Sequence, residues 1–258
     1  MRRFFVERIE EKDSRIRVAG AEARHMTRVL RMGPGDRLAL MDGSGARVQA
    51  VIRSAGKDGV LLDVERTLKA PPPSPVAITL CASLIKSRPM DLLIQKASEL
   101  GVDRIQPFAS SRTVVRLPEK RKDGRLRHWQ EIARNAAKQA DRSVPARVED
   151  PVTFEALLEA WRGSGVPLLL LWEGEETRDL QEVLRGTPSA PALAVVVGPE
   201  GGFSESEVAA ARTAGFQPVS LGRRILRAET AALTVTALIQ YEWGDLSLAP
   251  AHPSGSGT

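Results

Sequence analysis

The chain has 258 residues, of which 42% are hydrophobic and 27% are charged, and these proportions are typical of a globular protein rather than a disordered or fibrous one. No stretch reaches the ~18 consecutive apolar residues that a membrane helix needs, and charges follow Met1 too closely for a signal peptide, so a cytoplasmic protein without membrane contact is expected. The single cysteine, Cys81, excludes an intrachain disulfide, and together with three scattered histidines it predicts no metal site.

Positive charge is concentrated in two segments of the chain. Residues 1–37 carry ten Lys or Arg against six Asp or Glu, and residues 111–147 carry eleven against four. Because phosphate binding depends on local rather than total positive charge, this distribution favours a nucleic-acid partner. An arginine-rich solvated surface without a partner is the alternative that charge alone leaves open.

Residues 1–69 are predicted to form one small domain. Their apolar stretches are short and are separated by turn signals such as the Gly-Pro-Gly-Asp sequence at 33–36, a pattern that favours a small β-barrel. A helix is predicted over Ala21–Arg31, and the consecutive prolines within 70–75 predict an extended linker. The predicted strands are Arg15–Val18, Arg37–Met41, Arg47–Ile52 and Val60–Val64.

Residues 76–246 are predicted to form an α/β domain, followed by a disordered polar tail at 247–258. Apolar strands alternate with amphipathic helices, which indicates a parallel sheet covered on both faces, with ligands at the carboxyl ends of its strands. The predicted strands are Val76–Ile85, Val102–Pro107, Val166–Trp172, Ala192–Val197 and Pro218–Leu221. The predicted helices are Pro89–Leu100, His128–Ala140, Phe154–Trp161, Asp179–Leu184, Ser204–Ala214 and Glu229–Trp243.

The most distinctive local pattern is the glycine-rich loop Gly198–Gly202, which follows a buried strand. Its glycines allow main-chain groups to approach a flat ligand closely, and Ser204 with Glu207 predicts a capping box on the next helix. The motifs of nucleoside-triphosphate and dinucleotide sites are absent from the sequence. A simple βα turn, in which the glycines serve packing only, is the alternative for this loop.

Two further strand-end loops are candidates for the same ligand site. One, at 221–233, holds apolar Ile225 and Leu226 within an arginine-rich connection, and the other is the Glu-Gly-Glu sequence at 173–175. The apolar pair fits either the core or a pocket for an adenine ring. Because the carboxyl ends of parallel strands lie at one edge of a sheet, the three loops are predicted to enclose one ligand.

Four segments together resemble a known family: GPEGG at 198–202, LGRRILRAETA at 221–231, KASELGV at 96–102 and RNAAKQADRSVP at 134–145. They are similar to the RsmE family of SPOUT-class methyltransferases. The resemblance implies an N-terminal PUA-like RNA-binding barrel, a C-terminal trefoil knot that holds S-adenosylmethionine, and a homodimer. It also implies methylation of 16S rRNA in the small ribosomal subunit at N3 of a uridine.

The three loops are expected, through this resemblance, to bind the cofactor. The residues concerned are Leu170, Trp172, Glu173, Gly174, Gly198, Pro199, Glu200, Gly201, Gly202, Leu221, Gly222, Arg224, Ile225, Leu226, Arg227, Thr230 and Ala231.

Methylation at uracil N3 needs a nitrogen that attacks the sulfonium methyl group in line, and no covalent enzyme nucleophile. Since the N3–H is only weakly acidic, the site must remove its proton or stabilise the resulting anion, for which arginine is suited. Histidine is a common general base, but for His25 and His128 a solvent-exposed position or an RNA-phosphate contact is favoured. The candidate catalytic residues are Lys86, Arg134, Gln139 and Arg142; the candidate RNA-binding residues are Arg2, Arg3, Arg24, Arg28, Arg31 and Arg112.

The four-residue spacing of Arg134, Lys138 and Arg142 predicts that they share one helix face.

Two other functions stay open at this point. One is a SPOUT enzyme that methylates a ribose 2′-hydroxyl, and the other is a non-catalytic RNA-binding factor of ribosome assembly. Mass spectrometry of the product nucleoside separates the first from N3 methylation, and calorimetry with S-adenosylmethionine separates the second.

Overall fold

The computed structural model describes residues 1–10 and 12–247 and consists of two compact units. The first unit comprises Met1–Pro72 together with Asn135–Pro145, and the second comprises Pro73–Arg134 together with the residues from Ala146 onward. The division after Pro72 falls inside the predicted linker, whereas the sequence analysis does not predict that Asn135–Pro145 joins the first unit.

Five strands form a mixed sheet in the first unit: β1 (Arg2–Phe5), β2 (Arg15–Val18), β3 (Arg37–Met41), β4 (Arg47–Gly56) and β5 (Gly59–Thr67). Their order is β1-β3-β4-β5-β2, in which only β1 and β3 pair in parallel. Leu38, Leu40 and Leu62 are buried in a common core, and every residue of β3 after Arg37 is buried. The four predicted strands are present, and β1 is an additional one.

The predicted helix of the first unit is present in two parts. The α-helix α1 (Gly20–Arg24) continues into a π-helical turn, His25–Val29. Arg31 has a φ of 52° and ends the helical path, because a left-handed residue cannot continue a right-handed helix. Ala23 and Met26 face the core, which leaves the arginines of this segment in solvent.

Seven strands, all paired in parallel, form the sheet of the second unit. They are β6 (Ala77–Ser83), β7 (Arg104–Ala109), β8 (Arg147–Val148), β9 (Val152–Thr153), β10 (Leu168–Leu171), β11 (Ala192–Val197) and β12 (Gln217–Val219). The order is β12-β10-β11-β6-β7-β8, and β9 also pairs with β7. The predicted parallel sheet is thereby confirmed. Apart from Ser247, the predicted tail lies outside the described residues.

Helices cover both faces of this sheet, which explains why its strands are apolar throughout. In β11, Val195 and Val197 belong to a core cluster with residues of α2 and α7, whereas Ala194 and Val196 belong to a cluster with four phenylalanines. The helices are α2 (Ser87–Glu99), α3 (Glu119–Gln139), α4 (Phe154–Trp161), α5 (Leu180–Gly186), α6 (Glu205–Thr213) and α7 (Ala228–Glu242).

The end of α3 and the turn that follows it pack within the first unit. Ala137 is buried against Phe5 and Met41, and Asp141, with a φ of 58°, forms ion pairs with Arg3 at 2.6 Å and Arg47 at 2.5 Å. The prediction of one helix face for Arg134, Lys138 and Arg142 is therefore wrong. The helix ends at Gln139, since Asp141 turns the backbone into the left-handed region before Arg142 is reached.

Candidate functional site

The carboxyl ends of β10, β11 and β12 open into one cavity of about 740 Å³. These strands are neighbours in the sheet and run in the same direction, so the loops that follow them meet. The predicted cofactor-binding residues that line the cavity are Trp172, Glu173, Gly198, Pro199, Glu200, Gly202, Leu221, Gly222, Arg224, Ile225, Leu226, Arg227 and Ala231. Four predicted residues are not part of its lining, namely Leu170, Gly174, Gly201 and Thr230.

The glycine-rich loop needs its glycines for two different reasons. A Cβ at Gly198 would lie 2.8 Å from the ring of Phe203, a buried residue. Gly202 has a φ of +65°, which side-chain-bearing residues rarely adopt, and its N–H donates to the carbonyl of Pro199 at 2.9 Å. The loop is therefore a tight turn, and Gly198, Pro199, Glu200 and Gly202 form part of the cavity wall.

The predicted capping box is present at the start of α6, and its glutamate also contacts a distant loop. The Glu207 carboxylate accepts hydrogen bonds from the N–H of Ser204 and, at 2.8 Å, from the N–H of Ser111 in the loop after β7. Burial raises the pKa of Glu207, but these hydrogen bonds outweigh burial and lower it below its ordinary value. The adjacent Arg112 donates from Nη1 to the carbonyl of Gly201 at 3.1 Å. The loop after β7 is thus held at two points, once by the start of α6 and once by the glycine-rich loop.

The loop after β12 presents apolar surface to the cavity. Ile225 lines the cavity and is 85% exposed, which identifies it as wall rather than core. Gly222, with a φ of +94°, donates its N–H to the hydroxyl oxygen of Ser220, and Ser220 pairs with Asp179 in a β-bridge. The cavity wall here depends on contacts between the loops that follow β10 and β12.

Charged side chains of both signs line the cavity, and carboxylates outnumber guanidinium groups. Most of these carboxylates lie in the segment 175–182, which sequence reasoning largely missed. Its only local signal is Asp179, which caps α5. Glu175 is held by hydrogen bonds from Thr177, which lower its pKa. The carboxylates are Glu173, Glu175, Glu176, Asp179, Glu182 and Glu200, and the guanidinium groups are Arg178, Arg223, Arg224 and Arg227.

The candidate catalytic residues do not gather at this cavity. Lys86 is exposed at the N-terminus of α2, and neither it nor Arg134 belongs to the cavity lining. Gln139 and Arg142 belong to the first unit, whereas the cavity belongs to the second. Arg112, a predicted RNA-binding residue, contacts the glycine-rich loop directly.

The candidate RNA-binding residues of the first unit differ in their surroundings. Arg24, Arg28 and Arg31 are exposed in or just after the helical segment that precedes β3. Arg2 donates to the carbonyl of Leu30, and Arg3 is held by the Asp141 ion pair. The first three side chains are therefore the ones most available to a ligand.

Within residues 1–10 and 12–247, no helix is long and apolar enough to cross a membrane. Over the same ranges, the structure shows no group of three or more His, Cys, Asp or Glu side chains placed to hold a metal ion.

Comparison with protein families assigns both parts of the chain. Residues 72–240 match the RNA methyltransferase domain, and residues 18–65 match the RNA methyltransferase PUA domain. The fold, the cavity at the strand ends and these matches define an RNA methyltransferase-type protein with a PUA domain.

Individual relatives narrow this class. The chain is 30% identical over 249 residues to ribosomal RNA small subunit methyltransferase E of Bacillus subtilis, covering 94% of this chain and 97% of the relative. It is 33% identical over 232 residues to the protein of that name from Mycobacterium bovis, covering 89% and 87%. The chain belongs to the ribosomal RNA small subunit methyltransferase E family, as predicted.

A solved structure agrees with this assignment. The crystal structure of ribosomal RNA small subunit methyltransferase E from Neisseria gonorrhoeae, bound to S-adenosylmethionine, superposes with a TM-score of 0.87 at 32% identity, covering 96% of this chain and 100% of the other. The predicted α/β domain and PUA-like domain are confirmed. The trefoil knot stays a prediction.

Proposed function

We propose that this chain transfers the methyl group of S-adenosylmethionine to N3 of a uridine in the 16S rRNA of the small ribosomal subunit, and does so in the cytoplasm. The observation that carries the proposal is the single cavity formed by the loops after β10, β11 and β12 in a chain of this family. The names of the relatives support the rRNA substrate, and the Neisseria structure supports the cofactor.

The cavity suits S-adenosylmethionine in size, shape and charge. About 740 Å³ lies within the ~300–1,000 Å³ of typical small-molecule sites. Exposed Ile225 offers an apolar surface for the adenine, and the tight turn at Gly198 and Gly202 leaves main-chain groups accessible. Glu175 is paired with Arg212, so five other carboxylates face four guanidinium groups in the lining, a small excess that favours a ligand with net positive charge. When bound, the cofactor supplies an electrophilic methyl group on a positively charged sulfur.

The chain's own contribution to the reaction is to orient the uracil and to stabilise its anion. Loss of the N3 proton spreads negative charge over the two flanking carbonyl oxygens, and one oriented donor at such an oxygen contributes about 3 kcal/mol. Lys86 and Arg134, which belong to the same unit as the cavity although neither lines it, are the residues that we propose for this role, with Arg112 as an RNA contact beside the glycine-rich loop. Gln139 and Arg142 belong to the first unit and are not placed at this cavity.

The PUA domain and a second copy of the chain complete the proposed assembly. Arg24, Arg28 and Arg31 are exposed on the PUA domain and offer phosphate contacts. The helix α7 leaves Leu238 and Tyr241 41% and 58% exposed, an apolar surface that a two-fold contact between identical chains would cover. Light scattering that detects a fully active monomer would refute the homodimer.

The proposed activity is tested by transfer of labelled methyl groups to small ribosomal subunits and to free 16S rRNA. Digestion of the RNA and mass spectrometry of the nucleosides should then yield N3-methyluridine. A 2′-O-methylated nucleoside would refute the N3 assignment. S-adenosylmethionine binding without any transfer to either substrate would refute the rRNA methyltransferase function, and the absence of binding by calorimetry would refute the cofactor.

A further inference from the structure

A second cavity, of about 470 Å³, lies at the carboxyl ends of β6, β7 and β9. These strands belong to the same parallel sheet as β10, β11 and β12, and β6 pairs directly with β11. Both cavities therefore open at one edge of one sheet. Sequence reasoning does not predict the second cavity, because its walls come from the chain segments 84, 109–122 and 151–156, which are far apart in sequence.

The charge of the second cavity is opposite to that of the first. Arg116 and Lys122 line it, and its described lining contains no carboxylate. Lys122 pairs with Glu119, but that carboxylate is 85% exposed, and an exposed pair of this kind contributes little. A phosphate group can therefore replace Glu119 as the partner of Lys122. The first cavity, with its excess of carboxylates, suits a cationic cofactor, whereas the second suits an anion.

The lining of the second cavity combines polar and apolar groups, which suits a ligand larger than a bare anion. Thr153 caps α4 by accepting a hydrogen bond from the N–H of Ala156 at 3.2 Å, and both residues line the cavity. The positive end of this helix dipole adds attraction for negative charge. Leu84 and Val115 supply apolar surface within the same cavity. The cations suit a phosphate and the apolar residues suit a base.

One loop connects the two cavities physically. The loop residues Ser110 and Thr113 line the second cavity, and Thr113 fixes the loop by accepting a hydrogen bond from the N–H of Ser110 at 2.8 Å. Between them, Ser111 bonds to Glu207 and Arg112 bonds to the carbonyl of Gly201. A ligand in the second cavity is therefore held beside the glycine-rich loop of the first.

We propose that the second cavity binds one nucleotide of the substrate RNA, with its phosphate between Arg116 and Lys122 and its base against the apolar wall. This inference rests on the proposed function and adds a subsite to it. The subsite explains how RNA is seated next to the cofactor cavity without negative charge having to enter that cavity.

The test compares two charge reversals on the same helix. Lys122→Glu removes a phosphate contact, whereas Lys120→Glu makes the same charge change two residues away, at an exposed position outside the cavity lining. Affinity for a uridine-containing single-stranded RNA is measured over a series of salt concentrations. Lys122→Glu should weaken binding about tenfold at low salt and lower the slope of log affinity against log salt by about one. Lys120→Glu should keep the wild-type slope.

Equal losses in the two variants would overturn the inference, because they would show a diffuse charge effect. Arg116→Glu, on the loop rather than on α3, is a second variant that should match Lys122→Glu. Independently, photo-crosslinking of 4-thiouridine RNA to the wild type should map to peptides within 110–117 or 151–156, and crosslinks confined to other segments would also overturn it. If the wild type transfers methyl groups but the Lys122→Glu and Lys120→Glu variants do not differ in RNA binding, the subsite is refuted and the proposed function stands. If the predicted crosslinks form but no methyl group is transferred, the proposed function is refuted and the subsite stands.

Discussion

Replacing Gly198 by alanine adds one methyl group against a ring that has no room to move. The new Cβ would lie 2.8, 3.1 and 3.2 Å from three ring carbons of Phe203. That ring stacks on Phe154 at 5.2 Å and on Phe108 at 6.3 Å between centroids, so the clash must be relieved by the glycine-rich loop. Overpacking of this kind costs about 1–3 kcal/mol.

Chemical denaturation measures whether this strain lowers the stability of the fold, and calorimetry with S-adenosylmethionine measures whether it weakens cofactor binding. If the loop moves, the same 1–3 kcal/mol weakens cofactor binding by about fivefold to 150-fold. Phe203→Leu in the same chain should return part of the loss, as a coupling energy of ~1 kcal/mol or more. Gly186→Ala is the control, because a Cβ there meets nothing within 4 Å. Unchanged stability together with unchanged cofactor affinity in Gly198→Ala would refute this reasoning.

Three substitutions and one labelling experiment test other parts of the structure. Because its hydrogen bonds lower the pKa of Glu207, the carboxylate stabilises the fold above the ordinary glutamate pKa, and this is lost as the pH falls through the folded-state value. Glu207→Gln should therefore destabilise at pH 7 and approach the wild type in acid; a pH-independent difference would contradict this. Burial raises the pKa of Cys81 to about 12, so a thiol reagent should label it only as fast as the protein unfolds, and rapid native labelling would contradict burial. Gly124→Ala, inside α3 with open space around the Cβ, should raise the free energy of unfolding by ~0.5–1 kcal/mol in urea titrations. Asp141→Asn keeps a residue that tolerates positive φ but removes the ion pair of Arg47, which is 6% exposed, and should lower the unfolding free energy by about 1–3 kcal/mol; an unchanged midpoint would contradict the pairing.

The elements that sequence analysis predicts well are those set by local signals. The capping residues Ser204 and Asp179 mark the starts of α6 and α5, and β11 has the predicted bounds Ala192–Val197. The three strand-end loops also meet as predicted, because parallel strands in one sheet bring their carboxyl ends to one edge. The cavity at the carboxyl ends of β10, β11 and β12 is therefore predictable from pattern and topology.

The parts that sequence analysis misses depend on contacts between distant residues. Helix α3 begins at Glu119 rather than His128, because its strongly charged first turns lack the apolar periodicity that predicts a helix. Asn135–Pro145 joins the first unit through Ala137 and the ion pairs of Asp141, and no local signal marks a pairing over such a sequence distance. The same reason explains why Arg142 was wrongly assigned to a helix face.

The role of Glu207 shows how one local motif acquires a distant function. Its place in the sequence predicts only a capping box, which Ser204 completes. In the folded chain the same carboxylate also receives the N–H of Ser111, so one buried group sets both the start of α6 and the position of the loop after β7. Arg112 then reaches Gly201 from that loop. The loop after β7, which borders the second cavity, is therefore joined to the glycine-rich loop of the first cavity by Arg112 and to the start of α6 by Glu207.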